Sequence, residues 1–281
     1  MYKAPPLSFA GNKRNYRKLF LQELANRFDD TYTFVDMFGG SGYLSYLVKY
    51  TFPKARVIYN DYDDYSNRLN HIPETNEILS NIRTIIGDYK KKEKLDNETK
   101  AKIIDYLREC ENKGMFVDCI TISANICFSN NFCDTIDKIA KANLYNRIKT
   151  NDYDGTGYLD GLEIRNDDYK SLIDEFKNEP KTVFIMDPPY LASEKRVYKD
   201  NYWDLSKYFS LFRVMKEQPF WFFFTNGESF IKDLLECMDD LAENEEHKFL
   251  YKATIFERTN KISYSAKYVD IMIVKDSNEQ K

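Results

Sequence analysis

The sequence predicts an α/β chain built on a mostly parallel sheet, with a helical insertion and a reversed strand near its end. Three observations lead there. Strand-like runs near 32–37, 56–60, 182–187 and 219–225 alternate with helical patterns at 13–27, 42–51, 64–87, 168–178, 204–217 and 228–240, an order that folds into parallel strands with helical crossovers. Three of those runs end in clusters of glycine, carboxylate or proline, and parallel sheets bind ligands outside the carboxyl ends of their strands. Two late runs, Phe249–Phe256 and Lys267–Lys275, are β-branched and aromatic. Only about ten residues separate them, too few for a parallel crossover, so they are expected to pair antiparallel.

The first run leads into Phe34-Val35-Asp36-Met37-Phe38-Gly39-Gly40-Ser41-Gly42, followed by the helical Tyr43, Leu44, Tyr46, Leu47 and Val48. Strand, glycine turn and helix make a nucleotide-cofactor cradle, because glycine lets backbone approach a ligand closely. The spacing differs from the G-x-G-x-x-G of dinucleotide sites, and an ordinary loop is the competing reading. The second run, Ala55–Tyr59, ends in Asn60-Asp61-Tyr62-Asp63. Asp61 lies about twenty positions beyond the glycines, where an acid suits a ribose hydroxyl pair; a helix N-cap is the alternative. The apolar run Val183–Met186 ends in Asp187-Pro188-Pro189-Tyr190. Proline fixes φ and removes a backbone donor, so this turn offers rigid acceptors beside an aromatic ring, a set suited to an amino group on a flat heterocycle. The loop that follows, Leu191–Trp203, mixes Tyr198, Tyr202 and Trp203 with Lys195, Arg196 and Lys199, as a segment closing over substrate would; simple packing of the aromatics is the alternative.

Composition narrows the field. At 281 residues and 43% hydrophobic, the chain has room for one large domain with a lobe. No apolar run approaches the roughly 18 residues of a membrane span, and Met1-Tyr2-Lys3-Ala4-Pro5-Pro6 does not resemble a signal peptide. The five cysteines lack metal-type pairing, and Cys127 and Cys133 have nothing to complete a zinc set, so a reduced cytoplasmic setting is expected. With only His71 and His247, a histidine-rich metal site or a histidine-based nucleophilic engine is disfavoured. The formal net charge of −4 counts mildly against a nucleic-acid partner, but basic residues cluster at 13–18, 90–94, 147–149 and 195–199, and placement matters more than the sum.

Four segments together resemble the Dam-type DNA adenine-N6 methyltransferases: Ser8-Phe9-Ala10-Gly11-Asn12-Lys13-Arg14, Asp36 to Gly42, Asn60-Asp61-Tyr62-Asp63 and Asp187-Pro188-Pro189-Tyr190. The resemblance covers both ends of the chain well and the middle poorly. It implies a Rossmann-like class I methyltransferase fold with one reversed strand. The catalytic domain would comprise 1–63 and 151–281, with a mainly helical target-recognition lobe inserted at 64–150. It implies transfer of a methyl group from S-adenosyl-L-methionine to adenine N6 of a base flipped out of double-stranded DNA. Asp187, Pro188, Pro189 and Tyr190 would be catalytic. Phe9, Lys13, Asp36, Phe38, Gly39, Gly40, Gly42, Asp61 and Asp168 would hold the cofactor, with Asp167 an equal candidate to Asp168 and a helix N-cap the competing reading of both. Asn130, Arg147, Lys195, Arg196 and Lys199 would contact DNA. A monomer or weak dimer is expected, with a cognate restriction endonuclease as a possible partner.

The chain departs from the family pattern in two places. Asn12 stands where many members have glycine. Phe128-Ser129-Asn130-Asn131 lacks the glycine of the usual aromatic-Asn-Gly stretch, so the recognition sequence cannot be carried over. Cytosine-N4 or RNA methylation uses the same turn and stays open, as does a DNA-binding relative that has lost transfer. Glutamine methylation is disfavoured by Asp187 in place of asparagine, and NAD chemistry by the glycine spacing.

Overall fold

The computed structural model describes residues 1–128, 131–190, 203–261 and 267–277. In chain order the helices are α1 (Arg17–Arg27), α2 (Tyr43–Thr51), α3 (Tyr65–Asn70), α4 (Ile72–Ile86), α5 (Asn97–Asn112), α6 (Cys119–Ile126), α7 (Ile136–Lys141), α8 (Tyr169–Phe176), α9 (Leu205–Glu217) and α10 (Ile231–Asp240). The strands are β1 (Thr33–Asp36), β2 (Arg56–Asn60), β3 (Glu163–Arg165), β4 (Thr182–Met186), β5 (Phe220–Asn226), β6 (Ala253–Lys261) and β7 (Lys267–Asp276). Two compact units form: Asn15–Asp63 with Gly161–Lys281, which holds the sheet, and Met1–Arg14 with Asp64–Asp160, which is helical. The insertion therefore begins at Asp64 and runs to Asp160. The N-terminal segment expected with the sheet clusters with the helical unit instead.

The sheet runs in the order β3-β2-β1-β4-β5-β7-β6. β1 to β5 are mutually parallel where they pair, and β7 runs antiparallel to both β5 and β6. The late pair and the single reversed strand are thus as the sequence predicts. β4 is buried along its whole length, the expected pattern for a parallel strand covered on both faces. Phe34, Val35, Val183, Phe184, Ile185, Phe222 and Phe223 are fully buried and form the centre of the sheet.

Several boundaries move, each for a local reason. β6 starts at Ala253, not Phe249, because the Asp239 carboxylate takes the amides of Phe249 and Leu250 (2.5 and 3.0 Å) and Lys252 adopts φ +59°. The helix expected over 64–87 is broken at His71, with Pro73 in the first turn of α4, where its missing N–H costs nothing. The helix expected from 228 starts at Ile231, after a 3-10 turn over Gly227–Ser229.

The helical unit contains α3 to α7 and the isolated bridges Lys94↔Tyr145 and Cys127↔Leu144. Asp96, Asp118 and Thr135 cap α5, α6 and α7 by accepting from Thr99, Thr121 and Lys138 amides. It also buries an ion pair. Arg68 meets Asp118 at 3.1 Å, and its NH2 also donates to Thr121 Oγ1 (3.0 Å) and to the Ser8 carbonyl (2.9 Å). The Tyr65 hydroxyl lies 2.9 Å from the Leu7 amide and 3.1 Å from the Leu7 carbonyl. Residues 7 and 8 are thereby fastened to α3. Among the described residues, no helix is long and apolar enough to cross a membrane.

Candidate active site

Three neighbouring strands bring their carboxyl ends to one level. Asp36, the last residue of β1, is in register with Tyr59 of β2 and Ile185 of β4. Asn60-Asp61 and Met186-Asp187 therefore flank it, one strand spacing of about 4.8 Å to either side. This is the edge where parallel sheets bind ligands.

Asp36 is 1% exposed. Burial pushes its carboxyl up to about 7; the Ser45 hydroxyl, donating to Oδ2 at 2.7 Å, opposes the rise, the negative charge of Asp187 adds to it, and the amides of Phe38 and Ser45 oppose it weakly. Oδ1 is buried with no hydrogen bond of ordinary geometry reaching it. A buried carboxylate oxygen left in this state is costly.

The glycine turn is packed without slack. A Cβ on Gly39 would lie 2.3 Å from Cδ2 and Cε2 of the Tyr59 ring and 2.8 Å from the Asn60 carbonyl. Gly40 and Gly42 take φ +49° and +70°, a region open to glycine. Gly42 precedes α2, whose positive amino end has no side-chain cap. The Tyr59 hydroxyl lies 2.8 Å from the Gly40 carbonyl and 2.9 Å from Asp61 Oδ1; one proton is shared between the two acceptors. Asp61 is 3% exposed; its amide donates to the Arg165 carbonyl (2.7 Å) and its carbonyl accepts from Asn166 Nδ2 (3.1 Å). Asn60 ties β2 to both sides, donating to the carbonyls of Met37 and Asp167 and accepting from the Asp167 amide.

At the end of β4, Pro188 is buried and Asp187, Pro189 and Tyr190 are half-buried. The Tyr208 hydroxyl donates to the Pro189 carbonyl at 2.9 Å, pinning the turn from α9. Phe38 contacts Tyr169 and Trp203 at ring-centroid distances of 5.4 and 5.2 Å. Trp203, 9% exposed, also lies edge-on to Tyr208, so it packs in the core rather than standing ready over a substrate. Asp168 caps α8, accepting from the Lys170 amide at 2.9 Å. Asp167 pairs with Arg165 at 2.8 Å. Asp168 is thus the N-cap of α8, with its side chain exposed.

In the helical unit, Phe9 meets Tyr65 edge-on at 5.7 Å. Lys13 is 7% exposed and donates to the Gly11 carbonyl at 2.8 Å, while Asn12 Nδ2 donates to the Phe9 carbonyl at 2.9 Å. Arg147 donates to the Cys127 carbonyl at 2.9 Å, a structural contact. Asn130, Lys195, Arg196, Lys199, Tyr198 and Tyr202 lie outside the described residues. A pocket of about 630 Å³ in this unit, lined by Asn70, Asn76, Tyr153 and Asp160 among others, holds none of the predicted site residues.

Sequence reasoning missed Tyr59, Asn60, Ser45 and Tyr208 as supports. Tyr59 stands two residues before Asp61, on the same face of the strand by its two-residue period, which is a signal that was there to use. Tyr208 carried none.

Residues 9–219 match the model of the D12 class N6 adenine-specific DNA methyltransferases. The chain belongs to this family and is a methyltransferase. Membership implies a methyl donor of the S-adenosylmethionine type. A Haemophilus influenzae protein (strain Rd), named provisionally as a methyltransferase, is 32% identical over 280 residues, covering 98% of this chain and 93% of that one. The crystal structure of precorrin-6y C5,15-methyltransferase from Geobacter metallireducens GS-15 aligns over 96% of this chain and 94% of its own at 9% identity, with a TM-score of 0.34, a likeness too slight to argue from.

Proposed function

We propose that this chain transfers a methyl group from S-adenosylmethionine to N6 of an adenine extruded from duplex DNA. One observation carries the reading: Asp187-Pro188-Pro189-Tyr190 caps the fully buried strand β4, beside the glycine turn and acidic ends of β1 and β2. One other supports a fit to the donor: Asp36 Oδ1 is a buried acceptor that no hydrogen bond of ordinary geometry reaches, suited to a polar donor group. Phe38 and Gly40 would line the methionine side, Asp61 the ribose, and Phe9 and Asp168 or Asp167 the base, with Lys13 near the active site and Gly42 in the glycine turn. When bound, the donor supplies a methyl group on a sulfonium.

The chain's own residues do the rest. Adenine N6 is a poor nucleophile because its lone pair is delocalised into the ring. The Asp187 carboxylate and the Pro188 carbonyl accept hydrogen bonds from its two N–H groups and localise that pair, and one N6 proton leaves after transfer. The neighbouring Pro189 carbonyl already holds the Tyr208 hydroxyl, so it serves to keep the turn rigid. Tyr190 stacks on the base. Orientation and fixed dipoles supply most of the acceleration. Extrusion of the base is required because N6 cannot reach these groups within a duplex. Residues 64–150 would form the target-recognition lobe, with Asn130 and Arg147 near the bases and Lys195, Arg196 and Lys199 on phosphates.

Labelled S-adenosylmethionine incubated with unmethylated DNA, followed by nucleoside analysis and sequencing of modified sites, tests the reading. N6-methyladenine at a defined sequence is expected. N4-methylcytosine, or label entering RNA alone, would replace the substrate; DNA binding without any transfer would make this a binding module.

A further inference from the structure

Phe230 is the most exposed phenylalanine among the described residues, at 70%. It also takes φ +56°, ψ 12°, a region that bulky side chains seldom enter. Such outliers persist where their surroundings over-determine them, and they collect at binding sites. The surroundings here do so. Asn226 Oδ1 accepts from the Ser229 amide at 2.9 Å, Ser229 Oγ lies 2.8 Å from the Asn226 carbonyl and 2.6 Å from Thr225 Oγ1, and the Phe230 carbonyl accepts from the Leu234 amide at 3.0 Å. A rigid turn holds an aromatic ring out in solvent, and the ring gains nothing for the fold by being there.

Its place gives it a use. β5 is parallel to β4, with Phe223 opposite Met186. Asn226 lies three residues further, about 10 Å past the end of β4 at the usual rise. Phe230 follows after the turn Gly227–Ser229, beyond the carboxyl end of β5 and so on the sheet edge at which β4 ends in Asp187. The turn itself brings no spare cation: Lys232 pairs with Glu236 at 2.7 Å and with Glu257 at 3.5 Å. A contact made here is therefore with base faces rather than phosphates. Apolar wedges of this type enter between base steps, and a duplex that loses one base from its stack presents such a gap.

We infer that Phe230 is a nucleic-acid contact, stacking on the bases next to the extruded adenine and holding the duplex open during transfer. This rests on duplex DNA being the substrate. The test uses Phe230→Gly, which removes the ring and suits the positive φ, and Phe230→Tyr, which keeps the ring. Each is assayed in single turnover on a duplex containing a mapped methylation site, and again with an abasic site opposite the target adenine. Phe230→Gly is expected to slow transfer into the intact duplex about tenfold or more, within the range of base–aromatic stacking. On the abasic duplex, transfer returns to within about twofold of wild type. Cofactor affinity and the salt dependence of DNA binding stay unchanged, and Phe230→Tyr behaves as wild type. Wild-type rates for Phe230→Gly on the intact duplex would overturn the assignment, as would an equal loss on both duplexes. A wild-type protein that leaves duplex DNA unmethylated removes the substrate reading and this inference with it, and the wild-type arm alone reveals that.

Discussion

Asp36 and Asp118 are the same residue in the same degree of burial, 1% and 3% exposed, and the two units treat them oppositely. In the helical unit Asp118 is satisfied on both oxygens: Oδ2 meets Arg68 at 3.1 Å, and Oδ1 accepts from the Thr121 amide at 3.0 Å. In the sheet unit Asp36 has the Ser45 hydroxyl on Oδ2, nothing of ordinary geometry on Oδ1, and a second carboxylate, Asp187, close enough to raise it further. One site removes the desolvation cost with a countercharge. The other leaves much of it standing. A fold selected only for stability would satisfy both equally, and the less satisfied one stands in the site proposed for the methyl donor.

The sharpest break of that comparison falls on Asp187. Asp187→Ala is expected to abolish methyl transfer, because the amino group loses its charged acceptor, while Asp187→Asn keeps size and one acceptor and retains a trace. DNA binding persists in both, since phosphate contacts supply most of that affinity. Single-turnover transfer with folding checked by circular dichroism decides it; a folded Asp187→Ala protein working at the wild-type rate would remove Asp187 from catalysis.

Asp118→Ala tests the opposite pole. Removing one partner of a buried ion pair strands the other, at a cost of about 3–5 kcal/mol. Arg68 would keep its contacts to Thr121 and Ser8 but lose its charge partner. Denaturant unfolding should show the helical unit weakened by that amount, and an unchanged midpoint would mean Arg68 finds water instead.

Asp36→Asn should act in the other direction, and only in part of the pH range. The carboxyl rises from 3.8 to about 7 on folding, so between pH 4 and 7 the native state binds more protons than the unfolded one. Stability from this group is therefore greatest below pH 4 and falls as pH rises to 7. About three units at 1.36 kcal/mol each bound the loss at about 4 kcal/mol. Asn removes it, so the variant should be about 2–4 kcal/mol more stable than wild type at pH 8 and no more stable at pH 4. Thermal unfolding across that range checks the sign. A wild-type curve that is flat from pH 4 to 7 would mean Asp36 is hydrogen-bonded more fully than its geometry indicates.

How far each pole could be read from sequence follows the same division. Gly39, Gly42, Pro188 and Pro189 were legible because each answers a backbone demand at a strand end that other residues meet poorly, and Asp61 and Asp187 stood directly beside them. Asp36 was legible as a motif member, but not its missing partner. The Arg68–Asp118 pair was not legible, because fifty residues separate its halves and neither breaks a local pattern. Phe249–Lys252 failed as a strand because Asp239, on another element, captured its amides. Long-range capture of this kind leaves no trace in periodicity.

The smaller effects lie at Asp61 and its clamp. Asp61→Ala should weaken S-adenosylmethionine binding about tenfold or more, since hydrogen bonds to a charged group are worth roughly 1.5–3 kcal/mol. Tyr59→Phe is the finer probe. It leaves the carboxylate in place but removes the one proton shared between Gly40 and Asp61, a net loss of about 0.5–1.5 kcal/mol. If the clamp matters only to the fold, that amount appears in the unfolding free energy and calorimetric affinity is untouched. If it pre-aims Asp61 and holds the glycine turn against the ring that Gly39 packs on, affinity should fall a few-fold, and Asp61→Ala should abolish the difference between Tyr and Phe at 59, because the two changes act on one contact. Additive losses in that double-mutant cycle would separate Tyr59 from Asp61 and leave the turn, rather than the carboxylate, as what the hydroxyl supports.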